Sequence, residues 1–103
     1  MKMSVLKIVK SNFDSIRNGD APVIIDFYAD WCGPCKMVAP VIENIAEENA
    51  QYRVGKVNVD DEPELAREFG VYSIPTIVAL KGGREVGRRV GYCSKEHILG
   101  LLD

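Results

Sequence analysis

The chain has 103 residues, 47% apolar and 27% charged, with 13 Lys and Arg against 15 Asp and Glu for a formal charge of −2. That is the composition of one ordinary globular domain over residues 1–103, long enough to bury a core, and it excludes a disordered chain, a collagen-like repeat or a disulfide-dense mini-protein. Near-neutral charge excludes bulk attraction for nucleic acid or an anionic membrane, and apolar runs such as Ile77–Leu80 fall far short of the roughly 20 residues of a spanning helix.

Strand-like and helix-like patterns alternate along the chain. Ser4–Ile8 reads as a short strand, and Ser11 is placed to cap a helix that runs to about Asn18 and ends at Gly19-Asp20. Val23–Ala29 (VIIDFYA) is β-branched, aromatic and nearly continuous, as in a central strand buried on both faces. A helix is predicted over Pro34–Asn49. Val38, Val41, Ile42, Ile45 and Ala46 share one face, and Glu43, Glu47 and Glu48 the other. Pro40, inside it, is expected to kink it. Tyr52–Val59 reads as a strand and Pro63–Phe69 as a short helix with Gly70 at its end. Thr76–Leu80 and Arg84–Val90 are strands joined by Lys81-Gly82-Gly83, a hairpin signal. Ser94 is the expected N-cap of a last helix that buries Ile98, Leu101 and Leu102. The order βαβαβαββα predicts an α/β fold with a mixed sheet and helices on both faces.

The first twelve residues lack a signal-peptide core, because Lys7 and Lys10 interrupt the apolar stretch. The expected location is cytoplasmic. In that reducing compartment three cysteines are not a structural disulfide framework, and a close pair is catalytic or metal-binding. The pair is Cys32 and Cys35, within Trp31-Cys32-Gly33-Pro34-Cys35-Lys36, where a buried strand meets a helix N-terminus. Cysteines three apart on a first helical turn lie on one side of it, with Cα atoms about 5–6 Å apart, within disulfide range. The helix dipole favours a thiolate there and lowers the pKa of Cys32. Cys32, ahead of the helix, is expected to face solvent as the attacker, and Cys35, one turn in, to be the sheltered resolver. Tetrahedral zinc needs two further ligands, and only Cys93 and His97 remain. Haem attachment needs His after the second cysteine, where Lys36 stands.

WCGPCK after DFYAD, then SIPT, a KGG turn and VG ahead of the last helix together resemble the thioredoxin family over nearly the whole chain. The resemblance implies a thioredoxin fold, a central mixed five-stranded sheet flanked by four helices. It implies reduction of disulfide-containing proteins through the Cys32/Cys35 dithiol, with no cofactor beyond that redox-active disulfide. Re-reduction would come from a thioredoxin reductase, NADPH- or ferredoxin-linked, and the chain is expected to act as a monomer. Glutaredoxin-like and isomerase-like relatives usually differ between the cysteines, where this chain has Gly33-Pro34.

Asp26 falls mid-strand among Ile24, Ile25, Phe27 and Tyr28. A solvent-facing position is the plain alternative, but a buried lone carboxylate is costly and marks a functional site. In the family the matching aspartate lies behind the disulfide and helps deprotonate the second cysteine, here Cys35. Lys56 matches the family lysine beside it; from the residues alone it is a solvated strand position. Pro75, in Ile74-Pro75-Thr76, would ordinarily be trans; the resemblance makes it cis and packs it against the cysteines. It also pairs substrate backbone with Ile74, and Gly91 would allow close approach of a substrate chain. With Trp31, Gly33, Pro34 and Tyr92 these form a flat apolar docking patch.

Two positions depart from the family pattern. Tyr28 stands where many thioredoxins carry a second tryptophan, and Cys93 where a non-cysteine is usual; a free cysteine reads first as a small buried hydrophobe and second as a regulatory thiol. His97 reads as solvated. Arg84, Arg88 and Arg89 read as a charged edge strand, with docking of an acidic partner as the alternative. Asp60, Asp61, Glu62 and Glu64 read as a helix-start cluster that complements the dipole. A redox-silent binding module using the Trp31/Pro75 surface is disfavoured by the intact pair and Asp26, and an oxidase or isomerase by Gly33-Pro34 and the expected location.

Overall fold

A computed structural model of the protein describes residues 5–103. The elements are β1 (Val5–Lys7), α1 (Lys10–Arg17), β2 (Val23–Tyr28), α2 (Gly33–Glu48), β3 (Arg53–Asn58), α3 (Pro63–Glu68), β4 (Thr76–Lys81), β5 (Arg84–Val90) and α4 (Lys95–Gly100). The expected order is therefore present, with boundaries shifted by a residue or so; Ser4, placed in the first strand, lies outside the described residues. The five strands form one sheet in the order β1-β3-β2-β4-β5. β3 runs parallel to β1 and β2, and β4 is antiparallel to both β2 and β5, which makes the sheet mixed.

β2 lies at the centre, and Val23 to Phe27 are all buried, as its unbroken apolar run requires. Its alternate side chains feed two cores. On one face Val23, Ile25 and Phe27 pack with Phe13 and Ile16 of α1 and Leu65 of α3. Phe69 closes that core against the Phe13 and Phe27 rings, each 5.5 Å away. On the other face Ile24 packs with Val38, Ile42 and Ile45 of α2 and Ile98 of α4, with Leu102 beyond it. Leu101 is only partly buried, short of the expectation for the last helix. The hairpin turn has φ of +60° at Gly82 and +79° at Gly83, the left-handed pair that a two-residue turn between twisted strands demands.

One cap differs from the expected one. α1 starts at Lys10 with Val9 as its N-cap, so Ser11 lies inside the helix. The Asn12 side chain takes over: its Oδ1 accepts from Val9 N–H at 2.9 Å and its Nδ2 donates to the Lys7 carbonyl, also at 2.9 Å. Ser94 does cap α4, accepting from His97 N–H at 3.2 Å.

Candidate active site

The central strand ends at Tyr28, and Ala29-Asp30-Trp31 turn the chain into α2. Cys32 is the N-cap of that helix, and its Sγ accepts from the Cys35 N–H at 3.2 Å. Its sulfur thus stands where a helix start presents unsatisfied amides and positive potential, which favours a thiolate. Pro34 fits the first turn without loss of a hydrogen bond. Cys32 and Cys35 form a disulfide with Cα atoms 5.3 Å apart, within the spacing the helical turn predicts.

The expected contrast in exposure is absent. Cys32 is 4% exposed and Cys35 3%. The reason is non-local: both pack with Ala29 against Tyr28, Val59 and Ile74, and the Ile74 carbonyl oxygen lies 3.8 Å from the Cys32 sulfur. In the oxidised state the first cysteine is covered by the loop ahead of β4.

Behind the pair stands Asp26, 4% exposed. Its Oδ1 has no hydrogen-bond partner among the described residues. Burial pushes its carboxyl up to about 7, against the opposing pull of the Lys56 ammonium, which is level with it on β3. An open cleft of about 170 Å³ is lined by Asp26, Tyr28, Asp30, Cys35, Lys36 and Lys56, among others. The carboxyl and the second cysteine therefore share one route to water.

The loop residues converge on the same end of the sheet. The Ile74–Pro75 bond is cis, Pro75 is buried, and Ile74 is half-buried against the cysteines. The Pro75 carbonyl accepts from Gly91 N–H at 2.8 Å. Gly91 has φ of +89° and open space where a Cβ would stand, so glycine there serves the backbone conformation and leaves the surface uncovered. Trp31 is 71% exposed and Tyr92 52%, and Gly33 and Pro34 are exposed too.

Sequence reasoning missed the part played by Asp60. It precedes α3, whose first turn carries Glu64 alone of the acidic cluster, and its Oδ2 accepts from Trp31 Nε1–H at 2.9 Å. Glu62 and Glu64 instead accept from Lys10. Arg88 ties the edge strand to the core side of the fold, pairing with Glu85 and donating to the Phe69 carbonyl at 2.6 Å. Cys93 is buried in the α2/α4 core, and burial pushes its thiol up, as a small hydrophobe would be placed. His97 is exposed. Among the described residues no cluster of His, Cys, Asp or Glu is placed to hold a metal ion, and no helix is long and apolar enough to cross a membrane.

Comparison with known proteins agrees with this geometry. The family model described as Thioredoxin matches residues 4–103. A thioredoxin of Alicyclobacillus acidocaldarius is 46% identical over 96% of this chain and 95% of its own length. A bifunctional thioredoxin reductase/thioredoxin of Mycobacterium leprae is 51% identical over 86% of this chain and 20% of its own length. Among solved structures, a single-site mutant of the thioredoxin from Halobacterium salinarum superposes with a TM-score of 0.89 at 35% identity, over 95% of this chain and 87% of that one. The chain belongs to the thioredoxin family, thiol–disulfide oxidoreductases that work by dithiol–disulfide exchange with no cofactor beyond the active-site disulfide, here Cys32–Cys35.

Proposed function

We propose that this chain runs the exchange in the reducing direction, on disulfides of other proteins. In the reduced state the Cys32 thiolate attacks a substrate disulfide, forms a mixed disulfide and expels one substrate thiolate. Cys35, deprotonated by Asp26 across the shared cleft, then attacks the Cys32 sulfur. The second substrate thiolate leaves and the Cys32–Cys35 disulfide forms. Lys56 stands beside Asp26 and steadies its charged form. Trp31, Gly33, Pro34, Ile74, Pro75, Gly91 and Tyr92 are the docking surface, with Ile74 offering its backbone to an extended substrate segment. A thioredoxin reductase, NADPH- or ferredoxin-linked, restores the dithiol. The M. leprae relative, named for both activities in one chain, supports a reductase as partner. We place this chemistry in the cytoplasm, in a monomeric protein of one domain.

The observation that carries the reading is the junction of an N-capping cysteine, a second cysteine one turn on, and an unpartnered carboxyl behind it. Cys35→Ser tests the division of labour. Without a resolver the mixed disulfide through Cys32 persists on substrate proteins, and mass spectrometry of the adducts locates it. Linkage mainly through Cys93 would contradict the assignment.

A further inference from the structure

Lys56 is the register partner of Asp26 across the parallel β2–β3 pair, so a side chain of its length can reach the carboxyl. It does not do so. No ion pair joins them among the described residues, and Asp26 Oδ1 is unpartnered. The ammonium instead lies 5.7 Å from the centre of the Tyr28 ring, within the range of a cation–π contact. Tyr28 is two residues beyond Asp26 on the same face of β2, so Lys56 leans along the sheet rather than across it.

We propose that Tyr28 is a positioning residue of this site: its ring holds the Lys56 ammonium one step along the sheet and so keeps the buried Asp26 carboxyl free of an ion pair. The ring packs half-buried against Ala29, Cys32 and Cys35, with Asn58 level with it on β3. Over the ring the ammonium keeps water on its outer side, whereas contact with Asp26 would strip it. The other titratable groups around Asp26 are Asp30 and Lys36 at the cleft and Cys93 ahead of α4, while Cys35 from α2 is held in the disulfide; none hydrogen-bonds Oδ1. Freed from the ring, Lys56 stands level with the carboxyl on the adjoining strand, and its charge is the one that already acts on Asp26. The kinetic meaning of the device rests on Asp26 as proton acceptor: an ion-paired carboxylate would be a weaker base at neutral pH.

The test is the carbon-13 titration of the Asp26 carboxyl in the oxidised full chain, which reads the geometry whether or not Asp26 takes the Cys35 proton; that role is read separately, from mixed-disulfide decay. Tyr28→Leu lowers the Asp26 midpoint by about one pH unit, as an opposite charge drawn within contact range does. Tyr28→Phe, which keeps the ring, leaves it in place. Lys56→Met raises it, and adding Tyr28→Leu to Lys56→Met produces no further fall. In the unsubstituted protein the Lys56 ε-methylene protons are shifted upfield by the ring current. A midpoint that stays or rises in Tyr28→Leu would overturn the proposal. So would an equal fall in the Lys56→Met background, which would mean that the ring acts by excluding water, or Lys56 protons without a ring-current shift, a reading that needs no variant.

Discussion

Asp26→Asn keeps the shape of the buried carboxyl and removes its charge, so it isolates what ionisation costs the fold. The folded group titrates near 7, against an ordinary value of 3.8. Between those limits the native state holds a proton that the unfolded chain has lost. The group's contribution to stability is therefore full below the ordinary value, falls as pH rises through the window, and stays low above it. A gap of roughly three pH units at about 1.4 kcal/mol each makes the loss about 4 kcal/mol. Asn incurs none of it. At about pH 8 the oxidised variant should exceed the unsubstituted protein by up to about 4 kcal/mol, a shift in urea midpoint of about 2 M. At about pH 3, where the carboxyl is protonated in both states, the two midpoints should nearly coincide. The same substitution should slow decay of a preformed mixed disulfide by about 100-fold at neutral pH, because Cys35 loses its proton acceptor. Stability and rate would then move in opposite directions, as at sites where function holds a strained arrangement. A stability difference that does not vary with pH, or a variant less stable at about pH 8, would refute the account of the buried carboxyl.

Other expectations follow from the same packing. Cys32→Ser should abolish reduction of insulin disulfides by dithiothreitol, since Cys32 alone caps the helix and Cys35 lies one turn in; retained turnover would remove Cys32 as nucleophile. Cys93, 7% exposed with its thiol pushed up by burial, should resist iodoacetamide in the native protein and react once unfolded in urea. Cys93→Ala should keep its turnover and lose about 1 kcal/mol of stability through the small void it leaves. Gly55 faces the Ile8 side chain so closely that an added Cβ would collide with it. Gly55→Ala should cost about 1–3 kcal/mol, read from the denaturant midpoint.

The features legible in the sequence are those written locally. The run VIIDFYA marks a strand buried on both faces and, through its one carboxylate, a costly buried group, and both are present at β2. Cysteines three apart at a strand–helix junction predict the spacing that the disulfide has. What escaped depends on partners far along the chain. Cys32 is covered by the loop of Ile74, 42 residues on, and Asp60 holds the Trp31 indole from 29 residues away. No periodicity announces either contact. Ser11 failed as a cap for a different reason: Asn12 bonds both the Val9 amide and the Lys7 carbonyl, which fixes the helix start ahead of where serine would put it. The resemblance drew attention to Tyr28 as a departure, but its contact with Lys56 depends on where a long flexible side chain leans.

The direction of the chemistry is the central claim, and the reduction potential of the Cys32/Cys35 pair tests it most directly. Equilibrium titration of the purified protein against defined glutathione and dithiothreitol couples, with the redox state read by alkylation and mass, gives that number. A protein-disulfide reductase should show a strongly reducing pair, near the value of about −270 mV known for thioredoxin. A value of about −180 mV or higher, as for protein disulfide isomerase, would contradict the reducing direction and make the chain an isomerase or oxidant.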